Sequence, residues 1–194
     1  MPDFAAAAGL RESVPGIGAT VEFRGEATLS LPKESLPAAA AWLKENGFSL
    51  LLDISGVDHY GEEPRFEVVY EFYNLEAGAH LRLKARVSED DLSVPTLTPL
   101  YPGADWHERE AYDMFGIRFA GHPDLRRILM WEGYPYFPLR KDFPLEGKGS
   151  DAPGVAFSRP APLEGGPFVT APKPRDEKDA YATTREPHAH PAKL

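Results

Sequence analysis

Two neighbouring runs constrain this chain more than any other part of it. In 66–74, Phe66, Val68, Tyr70 and Phe72 alternate with polar positions that include Glu67 and Glu71. In 80–87, Leu81, Leu83, Ala85 and Val87 alternate with Arg82, Lys84 and Arg86. Strict alternation puts apolar side chains on one face of a strand and polar ones on the other. Gly78 between the runs signals a turn, so together they predict an antiparallel hairpin. One register serves both faces: Tyr70 opposite Leu83 and Phe72 opposite Leu81. The same register sets Glu71 against Arg82 and Glu67 against Arg86, which are favourable cross-strand pairs.

The flanking segments supply further elements of an α+β class. Residues 20–24 and 27–31 read as short strands split by Gly25-Glu26. Ser35 predicts the cap of a helix over 36–46, with Pro37 in its first turn and Gly47 as the left-handed residue after it. Residues 48–57 predict an apolar strand, ended by Gly56 and Gly61. Asp105 predicts the cap of a short helix, with Glu108 at the capping-box position and Gly116 just past its end.

Charge divides the chain into three parts. Residues 1–117 hold 9 basic and 20 acidic residues, a net of −11. Residues 118–141 hold 5 basic and 2 acidic, a net of +3. Residues 147–194 are near neutral and carry 8 of the 20 prolines. The expected organisation is a domain over 1–117, an extended partner-binding arm over 118–146 and a Pro-rich tail over 147–194. In the arm, Trp131, Tyr134, Tyr136, Phe137 and Phe143 stand among Pro135, Pro138 and Pro144. Prolines forbid a regular helix or central strand there, while large aromatics demand a surface. That surface is either this chain's own domain or another protein. The tail's His188 and His190 form at most a compositional metal hint.

Several function classes drop out. With 0 cysteines the chain offers no disulfide, no thiolate metal ligand and no cysteine nucleophile. A net charge of −9 argues against general nucleic-acid binding. No apolar run reaches the length of a membrane helix, and no basic leader precedes the alanines at 5–8, so a cytoplasmic origin is expected. Gly16-Ile17-Gly18 precedes the first strand, so it fails the context of a nucleotide-binding turn.

The densest polar cluster is 105–113. On a helix Trp106, Glu110 and Asp113 would share a face, and Arg109 would reach Asp113 at i+4. In one reading His107, Glu110 and Asp113 ligate a hydrolytic metal or supply acid–base chemistry. In the other, which the spacing favours, the charges brace a junction between the domain and the arm. A zinc helix needs two histidines at i and i+4, and only one occurs here.

These residues also carry a family resemblance. The block at 106–117, from Trp106 to Ile117, resembles the signature of the 30 kDa (C-type) subunit of NADH-quinone oxidoreductase, respiratory complex I. The blocks at 121–129 and 138–145 follow in the same order, with weaker similarity at 53–58 and 65–70. The resemblance spans about residues 30–146 and leaves the tail out.

The resemblance implies a two-layer α/β domain with a mixed, largely antiparallel sheet and few helices. It implies a structural or assembly subunit on the cytoplasmic side of the cell membrane, peripheral and without a span of its own. No cofactor is expected in this chain; FMN, Fe-S clusters and the quinone belong to partner subunits. The partners implied are other peripheral-arm subunits, chiefly the 49 kDa-type subunit and neighbours at the quinone end. Glu108, Arg109, Glu110 and Asp113 would brace the arm where it leaves the domain. Arg126, Arg127, Arg140 and Lys141 would meet partner carboxylates or carbonyls, and Trp131, Tyr134, Tyr136, Phe137 and Phe143 would fill partner grooves, with Asp142 beside them. Leu125, Ile128 and Leu129 would edge a short helix starting near Asp124. Three rivals stay open: the equivalent subunit of a related membrane-bound hydrogenase or photosynthetic NDH-type complex, a stand-alone metal-dependent hydrolase, and an adaptor acting through the tail.

Overall fold

The hairpin forms in the register its two faces require. In a computed structural model that describes residues 2–145, strands β4 (Phe66–Asn74) and β5 (Ala79–Val87) pair antiparallel. Tyr70 stands opposite Leu83, Phe72 opposite Leu81, Glu71 opposite Arg82 and Glu67 opposite Arg86. The inward side chains Phe66, Val68, Tyr70, Phe72, Leu81, Leu83 and Ala85 are fully buried. Each large one contributes roughly 1.5–3 kcal/mol by leaving water. On the outer face Arg82 spans Glu71 and Glu26, while Lys84 and Arg86 reach Glu67 at 3.0 and 3.5 Å.

Around this hairpin the sheet extends on both sides. Helix α1 (Pro2–Ser13) precedes β1 (Val21–Phe23) and β2 (Glu26–Ser30), which pair antiparallel across Arg24-Gly25. A 3-10 turn at Lys33–Ser35 leads into α2 (Leu36–Glu45), followed by β3 (Leu50–Asp58). Strand order is β1-β2-β5-β4-β3, with β2 parallel to β5 and the other pairs antiparallel. The sheet is therefore mixed and largely antiparallel, as expected. A second, two-stranded sheet joins β6 (Ser93–Pro95) and β7 (Arg118–Ala120) in parallel. Between them lies α3 (Ala104–Phe115). Helix α1 packs on β2 and β5, α2 packs beside α1, and α3 packs on β3.

Some local readings are corrected. Ser35 sits at the cap position of α2, but its hydroxyl donates to the Pro15 carbonyl at 3.1 Å and leaves the helix amides alone. The cap of α3 is Gly103, so Asp105 lies inside the first turn. Glu108 is not a capping-box residue, because it points inward and is fully buried. Gly47 and Gly116 do take the left-handed conformation after α2 and α3, with φ of +88° and +80°. Strand β3 begins at Leu50 and runs through Gly56 to Asp58. Helix α1 has no counterpart in the sequence reading. Its alanine-rich sequence has little amphipathic contrast, yet Ala7 and Leu10 are core residues.

Residues 118–143 belong to the same compact unit as the residues before them. The tail, with His188 and His190, lies outside the described residues.

Gly56 shows how tightly α3 seats on β3. A Cβ there would come within 2.5 Å of the Phe115 ring. Gly56→Ala therefore lowers stability by about 1–3 kcal/mol in urea unfolding. A wild-type midpoint in that variant would contradict this packing.

Candidate partner-docking site

Beyond β7 the chain has no helix or strand up to residue 145. It is nevertheless fixed, and a buried carboxylate in the last turn of α3 does the fixing. Asp113 is fully buried. Its Oδ2 accepts the consecutive amides of Ile128, Leu129 and Met130 at 3.0, 2.7 and 2.8 Å. Its Oδ1 receives Arg127 Nη1 at 2.5 Å. The same guanidinium donates to the carbonyls of Asp113 and Tyr136, each at 3.1 Å. Burial pushes the Asp113 carboxyl upward, but the three amides and Arg127 outweigh it and hold the group below its ordinary value.

A second cluster ties the end of the arm to the sheet. Arg65 grips Asp58 with two 2.8 Å bonds, from Nε and Nη2. It also donates to Glu89 at 3.0 Å and to Asp142 at 2.9 Å. The Asp58 carboxylate accepts the Lys141 amide at 2.8 Å. Its bond to Arg65 lowers its pKa against the opposing effect of burial. Next to it Arg140 donates to the Phe115 carbonyl at 2.7 Å and stacks over Phe66 and Phe137. The Leu139 amide donates to the Met114 carbonyl at 3.2 Å.

The aromatics of the arm pack in a chain. Trp131 meets Tyr134 at 4.4 Å, Tyr134 meets Tyr136 at 5.6 Å, and Tyr136 meets Phe143 at 6.1 Å between ring centres. Phe137 lies under both Arg127 and Arg140. The surface these residues occupy is thus that of their own domain. What they leave exposed is Trp106, Leu129 and Leu139, each more than half exposed, together with Arg126 and Lys141.

The structure separates several residues that the sequence reading grouped. Trp106, Glu110 and Asp113 lie along one side of α3, but only Trp106 and Glu110 stay exposed, because the arm covers Asp113. Arg109 does not reach Asp113; its Nε donates to the Arg126 carbonyl at 3.3 Å, with its guanidinium over Trp106. His107 pairs with Asp53 at 3.1 Å. His107, Glu110 and Asp113 do not converge, and among the described residues no cluster of three such groups could hold a metal. No helix forms at Leu125, Ile128 and Leu129, because the amides that would build it are spent on Asp113. Among the described residues the Arg126 side chain pairs with neighbouring Asp124, at 2.8 Å on the surface.

The Asp58–Arg65 pair escaped sequence reading, although one signal existed. Asp58 is in phase with Ile54 on the inward face of β3, where a carboxylate demands a cation.

Known proteins resemble this chain in sequence and fold. The family model described as respiratory-chain NADH dehydrogenase, 30 Kd subunit, matches residues 29–149. The chain belongs to that family. It is 50% identical to the second C-type subunit of NADH-quinone oxidoreductase from Rhizobium meliloti, over 69% of this chain and 77% of that one. A protein of Bdellovibrio bacteriovorus, named as the C/D subunit of NADH-quinone oxidoreductase, is 48% identical over 61% of this chain, which spans 21% of that longer protein. Among solved structures, a trypsin-resistant fragment of Nqo5 matches with a TM-score of 0.57 at 35% identity, covering 64% of this chain and all of the fragment. An archaeal membrane-bound sulfane sulfur reductase matches with a TM-score of 0.66 at 27% identity, covering 75% of this chain and 87% of that one. The matched span of this 30 kDa-type subunit includes β3, β4 and β5 of the sheet and the arm that folds back on it.

One buried acid in this subunit opposes the others. Glu108 accepts the Leu97 amide at 2.7 Å and the Thr96 hydroxyl at 2.5 Å. The buried His122 ring lies 3.9 Å away; it accepts the Asp124 amide at Nδ1 and directs Nε2 to Asp105 at 3.1 Å. Burial lifts the Glu108 carboxyl to about 7, against its two hydrogen bonds. A carboxyl that the fold keeps protonated adds stability below its ordinary value and loses it as pH rises through the folded one. This contribution falls by roughly 3 kcal/mol between about pH 4.5 and pH 8. Glu108→Gln, neutral throughout, removes that component from the pH dependence of urea unfolding. An identical slope in wild type and variant would contradict the assignment.

Proposed function

We propose that this chain is a structural and assembly subunit of the peripheral arm of an NADH-quinone oxidoreductase. The complex passes electrons from NADH through FMN and Fe-S clusters to a quinone, coupled to proton translocation. The observation that carries this reading is the family match, which covers residues 29–149 and so takes in the greater part of the domain and its folded-back arm. On this reading the chain is not catalytic by itself. It has no cysteine to ligate a cluster, and its buried acids Asp58, Glu67, Glu108 and Asp113 are committed to structural bonds. FMN, the clusters and the quinone sit in partner subunits.

Its task is then to present a shaped surface at the quinone end. Arg65, Asp58, Asp113 and Arg127 set the path of residues 121–143. Trp106, Arg126, Leu129, Leu139 and Lys141 stay outward, and exposed Trp and Arg side chains are the types that anchor interfaces. The principal partner we infer is the 49 kDa-type (D-type) subunit, on the cytoplasmic side of the membrane. The Bdellovibrio protein joins the C and D names in one chain, which supports their proximity. Among the described residues no helix is long and apolar enough to cross a membrane. The archaeal reductase supports a second reading, the equivalent subunit of a related membrane-bound respiratory complex.

Affinity purification of the tagged chain from its host tests this. The expected result is an assembly of several proteins that includes a D-type protein and an NADH-oxidising flavoprotein. Recovery with the D-type protein but no flavoprotein would select the second reading, and recovery of the chain alone would overturn both.

A further inference from the structure

The outer edge of the five-stranded sheet carries an unassigned groove. Strand β3 ends the sheet and, among the described residues, pairs only with β4. An uncovered edge strand of nine residues is a template for another strand, and proteins rarely leave one bare. Here the edge is also apolar. A bulge between Leu51 and Asp53 shifts the pairing, and Leu50 and Leu52 are 38% and 44% exposed.

Alongside this edge runs a cleft of about 220 Å3 between β3 and α3. Its floor includes Gly56, Ala111, Met114 and Phe115, with Leu139 from the arm at one side. Its charged lining consists of Asp53 and Glu110, with no lysine or arginine. Glu110 is exposed and makes no ion pair among the described residues. The site thus combines unpaired strand backbone, an apolar floor and negative charge.

The geometry points to strand addition: an extended, basic segment of a neighbouring protein in the complex pairs with the outer edge of β3. One of its apolar side chains enters the cleft, and a lysine or arginine meets Glu110. Glu110 sets the class of occupant, since an acidic or neutral segment would leave this carboxylate uncompensated, whereas Asp53 already pairs with His107 at 3.1 Å. Backbone pairing along an edge with side-chain pockets beside it is a recurring mode of peptide recognition. This inference rests on the reading of the chain as a subunit of a larger complex.

The test uses the intact complex purified through the tagged full-length chain. A photo-reactive p-benzoylphenylalanine replaces Leu52 in one preparation and Glu110 in another, and cross-linked peptides are sequenced by mass spectrometry. Co-purification of other subunits checks the subunit reading separately from the groove. The expected product is one peptide of a neighbouring protein, joined from both positions and bearing lysine or arginine. Adding Glu110→Lys to the position-52 preparation lowers that yield about threefold, the size of one exposed ion pair. A complex that co-purifies normally but yields no such cross-link, or joins an acidic segment, would overturn strand addition. Failure to co-purify any other protein would overturn the subunit reading together with it.

Discussion

One carboxylate organises the surface of this protein. Asp113 is buried at the end of α3 and ionised, a state that low dielectric opposes. Three consecutive amides and a guanidinium supply the compensation. Each hydrogen bond to a charged group is worth about 1.5–3 kcal/mol, so the cluster overcomes the desolvation cost. The exchange works in both directions. The carboxylate needs the donors, and residues 127–130 need the carboxylate, because they build no helix or strand of their own. Arg127 then fixes the Tyr136 carbonyl and stacks on Phe137, so the constraint propagates to the aromatic chain.

The Asp58–Arg65 pair repeats this logic at the other end of the arm. Its guanidinium reaches Glu89 and Asp142, while Asp58 also takes the Lys141 amide. Positions 58, 65, 89 and 142 come from four separate segments, so the pair acts as a clamp between strand ends and arm. With the arm tied to its own domain at Asp113 and Asp58, its exposed side chains Arg126, Leu129, Leu139 and Lys141 face outward. A surface set in advance in this way loses less ordering entropy on binding. That suits the structural role proposed for this subunit.

Legibility in the sequence followed the range of the interactions. The hairpin register was readable because both faces of β4 and β5 repeat with period two and carry opposite charges. The ends of α2 and α3 were readable because Gly47 and Gly116 hold a conformation that other residues avoid. Local spacing misled where distant partners compete. Glu108 has the spacing of a capping box but turns inward to the loop at 96–97. Arg109 has the spacing to reach Asp113 but loses it to Arg127, fourteen residues away. The aromatics and arginines of the arm were recognisable as residues needing a surface. That the surface is their own domain depends on buried carboxylates at 58 and 113, whose partners in the arm no local spacing marks.

Hydrogen exchange at Ile128, Leu129 and Met130 measures the central claim most directly. If the Asp113 carboxylate holds this turn, the three amides are protected in the wild-type chain. Asp113→Asn then speeds their exchange together, by about tenfold or more, the equivalent of one charged hydrogen bond. Leu83, deep in the sheet, serves as the reference and slows or quickens only with global stability. Exchange of the three amides at unprotected rates in the wild type would contradict the account, as would protection that survives loss of the charge.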